Sequence, residues 1–268
     1  MVTIKTPVEI ERMRKSCELA AATLDYLAPR IVPGVSTAEL DRLAHQFITS
    51  HDAYPSPLNY HGFPKSICTS PNEVICHGIP SEDVIVSDGD ILNVDVTTYL
   101  DKFHGDTNRT FFVGNVKPEI RRLVEVTHEC MMRGIRTVKP GSRLGDIGWA
   151  IQSHAEANGY TVVRDYCGHG IGYEFHEDPQ VLHYGKPDTG LELREGMTFT
   201  IEPMINMGGA ASKVLGDGWT VITRDHSLSA QFEHTMAVTR DGVEILTLSK
   251  AERSAAVTES RHETDSRA

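Results

Sequence analysis

Two aspartates stand in the run NVDVTTYLDKFHGDT, residues 93–107. Residues 91–98 and 109–113 are rich in β-branched and aromatic side chains, so they read as two strands of one antiparallel hairpin. A tight turn centred on Leu100 and Asp101 places Asp95 directly opposite Asp106, on one face. Opposed like charges destabilise a sheet. Either one carboxyl keeps its proton, or a cation lies between the two, or the pair faces solvent at an exposed edge.

A second pair of acids emerges from a repeat. Pro33-Gly34 is followed by VSTAEL and Pro140-Gly141 by SRLGDI, an offset of 107 residues. The same offset aligns VSDGDILNVD (86–95) with LREGMTFTIE (193–202), so Glu202 falls where Asp95 stands. Apolar spacing predicts helices over 8–28 and 36–50 in one half, and over 118–137 and 142–158 in the other. The order helix, helix, strands therefore occurs twice, over about residues 5–115 and 116–248. A pseudo-twofold brings both pairs of acids to the middle, and Glu233 in QFEHTMAV is the partner expected for Asp106. The fold class is α+β, two helix-helix-hairpin halves around a central antiparallel sheet.

Four carboxylates cannot gather in a core uncompensated, because bare buried charge costs too much. Divalent metal is the economical solution, and four acids carry enough charge for two ions. A single imidazole biases the set towards manganese, iron, cobalt or zinc. The candidate is His169, held between glycines in DYCGHGIGYEFHEDP (165–179). Taken alone, it also reads as a hydrogen-bonded turn histidine. The GHGIG run lacks the spacing and the downstream acid of a dinucleotide fingerprint.

The whole chain sets bounds on this reading. Its 268 residues are 40% hydrophobic and 24% charged, with a net charge of −11, which argues against a nucleic-acid grip by charge. No run reaches the length of a membrane span, and the first twenty residues lack a signal-peptide core. Five cysteines without a CxxC pair read as reduced thiols in a cytoplasmic protein. Residues 1–250 read as one catalytic domain, and the polar run 251–268 as a disordered tail.

Five segments together resemble type I methionine aminopeptidases of the pita-bread fold. They are YHGFPKSICTSPNEVICHGIP (60–80), NVDVTTYLDKFHGDTNRTFFVG (93–114), CGHGIGYEFHEDP (167–179), GMTFTIEP (196–203) and FEHTMAV (232–238). The resemblance covers about residues 5–248. It implies hydrolysis of the bond after an N-terminal methionine, with a small second residue, by water activated on two divalent ions. It implies Asp95, Asp106, His169, Glu202 and Glu233 as metal ligands, with Asp106 and Glu233 bridging both ions. Glu202 is then the proton shuttle, His77 a hydrogen-bond donor to substrate or departing amine, and His176 the stabiliser of the oxyanion. Tyr60, Phe63, Cys68, Phe175 and Trp219 are implied to line the methionine pocket, with His77 and His176 beside them.

The family suggests a monomer acting on nascent chains and short peptides. A transient ribosome contact fits such an enzyme, though no basic patch announces one. The nearest alternative is a proline-specific peptidase of the same fold. Those carry a substantial N-terminal domain, whereas here the catalytic pattern starts near residue 1. Type II enzymes carry a helical insertion for which the 31 residues from Glu202 to Glu233 leave no space. A non-catalytic peptide binder of this fold would lose metal ligands, and all five residues stand here.

Overall fold

The structure, a computed structural model, describes residues 2–254. Helix α1 (Pro7–Leu27) starts where the sequence signals it. Thr6 accepts from the Glu9 N–H, and the Glu9 carboxylate accepts from the Thr6 N–H at 2.7 Å, with Pro7 in the first turn. Helix α2 (Thr37–Thr49) is capped by Ser36. Helices α3 (Pro118–Arg136) and α4 (Leu144–Ala157) follow in the second half.

The first hairpin pairs Ile91–Leu100 with Phe103–Phe112. Alternation along it separates two environments. Leu92, Val94 and Val96 pack with Leu24, Leu27, Leu40 and Ile48 of α1 and α2 in one core. Asn93, Asp95 and Thr97 point the other way, beside Thr110, Asn108 and Asp106 of the partner strand. The polar face of the hairpin is therefore covered as well, by the second half of the chain.

That register corrects the expected turn. Leu100 pairs with Phe103, so the turn residues are Asp101 and Lys102, at φ 52° and 73°. A turn one residue earlier would force Leu100 into the left-handed region, which aspartate tolerates far better than leucine. Asp95 consequently faces Asn108, and Asp106 faces Thr97. The two acids stay on one face, but as diagonal neighbours.

In the second half, Thr198–Ile201 pairs with His234–Val238, and Met204–Asn206 pairs with Ser229–Gln231. Ile201 faces His234 and Met204 faces Gln231, so one register runs unchanged across the gap. Continuity sets Glu202 across from Glu233. Phe199, Ile201, Ile205 and Met236 join Leu123, Ile135, Ile147 and Ile151 of α3 and α4 in a second core. The two sheets meet where Glu233 bridges Asn108, its N–H donating to the Asn108 carbonyl at 3.1 Å.

Helix α1 lies directly on the first hairpin. Ser16 Oγ donates to the Thr98 carbonyl and Thr98 Oγ1 to the Ser16 carbonyl, both at 2.8 Å. Gly105 makes this approach possible, since a Cβ there would sit 2.4 Å from the backbone nitrogen of Cys17. Gly105→Ala is expected to cost about 1–3 kcal/mol by forcing helix and strand apart. A lower midpoint in urea denaturation checks this.

The expected disordered tail begins too early. Residues 250–254 form a helical turn. Ser249 and Glu252 cap each other at its start, and the Lys250 N–H donates to Asp25 at 3.1 Å. The remainder of the expected tail, 255–268, lies outside the described residues.

Candidate active site

The acid-bearing strands form the floor of a cavity of about 570 Å3. Every residue singled out from the sequence lines it. Asp95, Asp106, His169, Glu202 and Glu233 line it together with His77 and His176. Tyr60, Phe63, Cys68, Phe175 and Trp219 contribute wall. The size suits a small ligand or a peptide end.

Ligand atoms of Asp106, His169 and Glu233 all lie within 4.8 Å of one another. His169 Nε2 stands 3.7 Å from Asp106 Oδ2 and 3.7 Å from Glu202 Oε1. Its other nitrogen, Nδ1, is 2.9 Å from the Gly170 carbonyl, which can only accept. The ring proton therefore sits on Nδ1, and the Nε2 lone pair faces the acids. Burial pushes the imidazole down to about 4, so it is neutral.

The acids are gripped from behind. Thr97 Oγ1 donates to Asp106 Oδ1 at 2.7 Å, and Asn108 Nδ2 to Glu233 Oε2 at 2.9 Å. Thr200 Oγ1 donates to Glu202 Oε1 at 2.8 Å. The Glu202 N–H donates to His183 Nε2 at 3.1 Å. Among the described residues, Asp95 Oδ1 is buried without a hydrogen-bond partner, and no lysine or arginine pairs with any of the four acids. Burial, with mutual repulsion, pushes Asp106 and Glu233 well above the usual carboxyl range. Burial raises Asp95 to about 7 and Glu202 to about 8.

This donor set fits divalent metal. A lone pair aimed at carboxylates, an orphaned carboxylate oxygen and partners that fix Asp106, Glu202 and Glu233 from behind make up a site for a borderline cation. Of the residues behind the acids, Thr97 and Asn108 were open to sequence reasoning, because they share strand parity with Asp95 and Asp106. No spacing pointed to His183, Thr200 or Gln231, whose Nε2 donates to Glu202 Oε2 at 3.3 Å.

Beyond the acids the walls are aromatic. Phe63 meets Trp219 edge-on with ring centres 5.2 Å apart, and Trp219 also faces His77. Trp219 is held in an exposed loop by Asp217, which accepts from the N–H groups of Trp219 and Thr220 at 2.9 Å. Phe175 stacks on His176 at 4.2 Å, and His104 stacks behind Phe175 at 5.6 Å.

A model of metallopeptidase family M24 matches residues 11–240. Methionine aminopeptidase A of Synechocystis sp. is 59% identical over 247 residues, which cover 92% of this chain and 98% of the relative. The chain belongs to the methionine aminopeptidases of metallopeptidase family M24. The crystal structure of methionine aminopeptidase from Rickettsia prowazekii matches with a TM-score of 0.91 at 56% identity, over 92% of this chain and 100% of that one. The prolidase from Pyrococcus horikoshii shares the fold at a TM-score of 0.71, but at 23% identity and over 64% of its own chain.

Membership in a metallopeptidase family carries divalent metal use with it, in agreement with the donor set. Thr97→Val removes the hydroxyl from behind Asp106 and leaves the shape. Metal affinity is expected to fall about 10–100-fold, as for other partners of metal ligands. Calorimetric titration of the chelated variant with Mn2+ checks this.

Proposed function

We propose that the protein hydrolyses the bond after an N-terminal methionine on peptides and nascent chains whose second residue is small. The observation that carries this reading is the convergence of Asp106, Glu202 and Glu233 on the Nε2 lone pair of His169, in an aromatic cavity that Asp95 also lines.

Asp95, Asp106, His169, Glu202 and Glu233 would hold the divalent ions. Divalent ions bound there supply Lewis acidity and make water a nucleophile near neutral pH. Glu202, ionised when metal is bound, would take the proton from the attacking water and pass it to the leaving amine. His176 directs an N–H at the oxyanion. His77, buried and pushed down by that burial, donates as a neutral imidazole to the substrate or the departing amine. Tyr60, Phe63, Phe175 and Trp219 offer ring faces, and Cys68 a thiol, to the methionine thioether. Restriction to a small second residue, a monomeric state, a cytoplasmic setting and a transient ribosome contact enter this reading through the family.

The test is release of free methionine from Met-Ala-Ser by chelated protein, before and after adding back Mn2+, Fe2+, Co2+ or Zn2+ singly. An X-Pro dipeptide runs alongside. Metal-restored release from Met-Ala-Ser, with the dipeptide intact, is expected, and the effective metals identify the cofactor choices. Cleavage of the X-Pro dipeptide alone would move the protein to the proline-specific reading. No cleavage with any metal would leave a peptide-binding module.

A further inference from the structure

Tyr60 does more in this structure than an aromatic wall requires. Its neighbour in the same wall is Phe63, so a phenyl ring serves there without a hydroxyl. The Tyr60 hydroxyl lies 2.7 Å from His176 Nδ1. Among the described residues it has no other hydrogen-bond partner, and neither has that nitrogen. The ring is brought there by a costly backbone. Asn59 and His61, on either side of Tyr60, sit at φ 66° and 47°, and Gly62 follows at φ 89°. Two non-glycine residues in the left-handed region are strain, and strain persists where the surroundings demand it. Backbone bonds from the Tyr60 N–H to the Pro57 carbonyl and from the Asn59 N–H to the Phe63 carbonyl hold the turn closed.

We propose that the Tyr60 hydroxyl is a positioning group that fixes the tautomer of His176, keeping its ring proton on Nε2. This rests on the role given to His176 above. A neutral imidazole has one proton and two nitrogens. A phenol proton donated to Nδ1 leaves Nε2 as the N–H that can meet an oxyanion. His169 is fixed the other way. Its Nδ1 faces a carbonyl, so its Nε2 carries the lone pair. The two rings lie 4.2 Å apart. Their second partners set them in opposite tautomers, one to accept a cation and one to donate to developing negative charge.

Three measurements on the metal-loaded enzyme test this. Tyr60→Phe keeps the wall and is expected to lower kcat on Met-Ala-Ser about tenfold, with KM within about twofold, a fraction of the loss on removing an oxyanion donor outright. His176→Ala is expected to lower kcat about 100-fold, and adding Tyr60→Phe to it should cost nothing further. Nitrogen NMR of labelled wild-type protein should show His176 with Nδ1 unprotonated and Nε2 protonated. A raised KM with unchanged kcat in Tyr60→Phe would make Tyr60 wall only, and additive losses in the double variant would separate the two residues. A proton on Nδ1 in the wild type would overturn the proposal even if a variant failed to fold. Full activity of His176→Ala would instead remove the role of His176 in the reaction, while the NMR result would still decide the tautomer.

Discussion

Asp106→Asn is expected to lower kcat/KM on Met-Ala-Ser at least about a thousandfold, or about 4 kcal/mol of transition-state stabilisation. Asp106 belongs to the cluster with His169 and Glu233, and its second oxygen faces His169 Nε2 at 3.7 Å. Asparagine keeps the volume and still accepts from Thr97 through its amide oxygen. It loses the charge that would hold a divalent ion. The same change removes one of four mutually repelling buried acids. The metal-free variant should therefore be more stable at pH 8 than the metal-free parent, while the metal-loaded parent is the more stable of the loaded pair. A variant that is both inactive and less stable without metal would point to simple misfolding. Steady-state kinetics and thermal melts, each with and without Mn2+, separate these outcomes.

Metal-free protein is expected to lose stability as pH rises from about 6.5 to 8. The acids and the histidines push in opposite directions, in different pH windows. Asp95 and Glu202 are raised to about 7 and about 8, and Asp106 and Glu233 are well above the usual range, all chiefly by burial. In the unfolded chain these groups ionise near pH 4. Between there and the folded values the native state holds more protons, so stability falls as pH rises. His169, His176, His183 and His234 are lowered by burial to between about 3 and 4. Their unfolded forms take protons below about pH 6.5, so they add stability as pH rises to that point and then stop. Above it the acids dominate, each carboxyl still protonated costing about 1.4 kcal/mol per pH unit, and the buried thiols of Cys17, Cys68, Cys76 and Cys130 begin to add to the same fall near pH 8. Bound metal needs the ionised carboxylates, so the loaded protein should show no such fall. Urea denaturation at pH 6.5 and pH 8, chelated and Mn2+-loaded, measures the difference. Equal stability of chelated protein at both values would mean that the acids are not buried together.

Much of this site could be read in the sequence, for physical reasons that differ by residue. Asp95 and Asp106 stand out because strand alternation puts two acids on one face of a hairpin, away from the helices. Glu202 and Glu233 follow from the internal repeat, and the structure sets them opposite each other through a register that the 22-residue excursion 207–228 does not disturb. The hairpin turn was misplaced by one residue because composition alone does not show which two residues take positive φ. The helical turn at 250–254 was missed because it depends on docking against Asp25, a contact 225 residues distant in sequence. His183 belongs to the same class. Its bond to the Glu202 backbone crosses between neighbouring segments, and nothing in its own surroundings marks it. The Tyr60 hydroxyl also escapes sequence reasoning, since a wall position explains the ring without it.

The central claim is that Asp95, Asp106, His169, Glu202 and Glu233 together hold two divalent ions that the hydrolysis needs. Native mass spectrometry of chelated protein titrated with Mn2+, beside Asp106→Asn treated identically, tests it most directly. Two bound ions in the parent, and at most one in the variant, are predicted. No bound ion in the parent, or two in both proteins, would contradict the assignment of these residues.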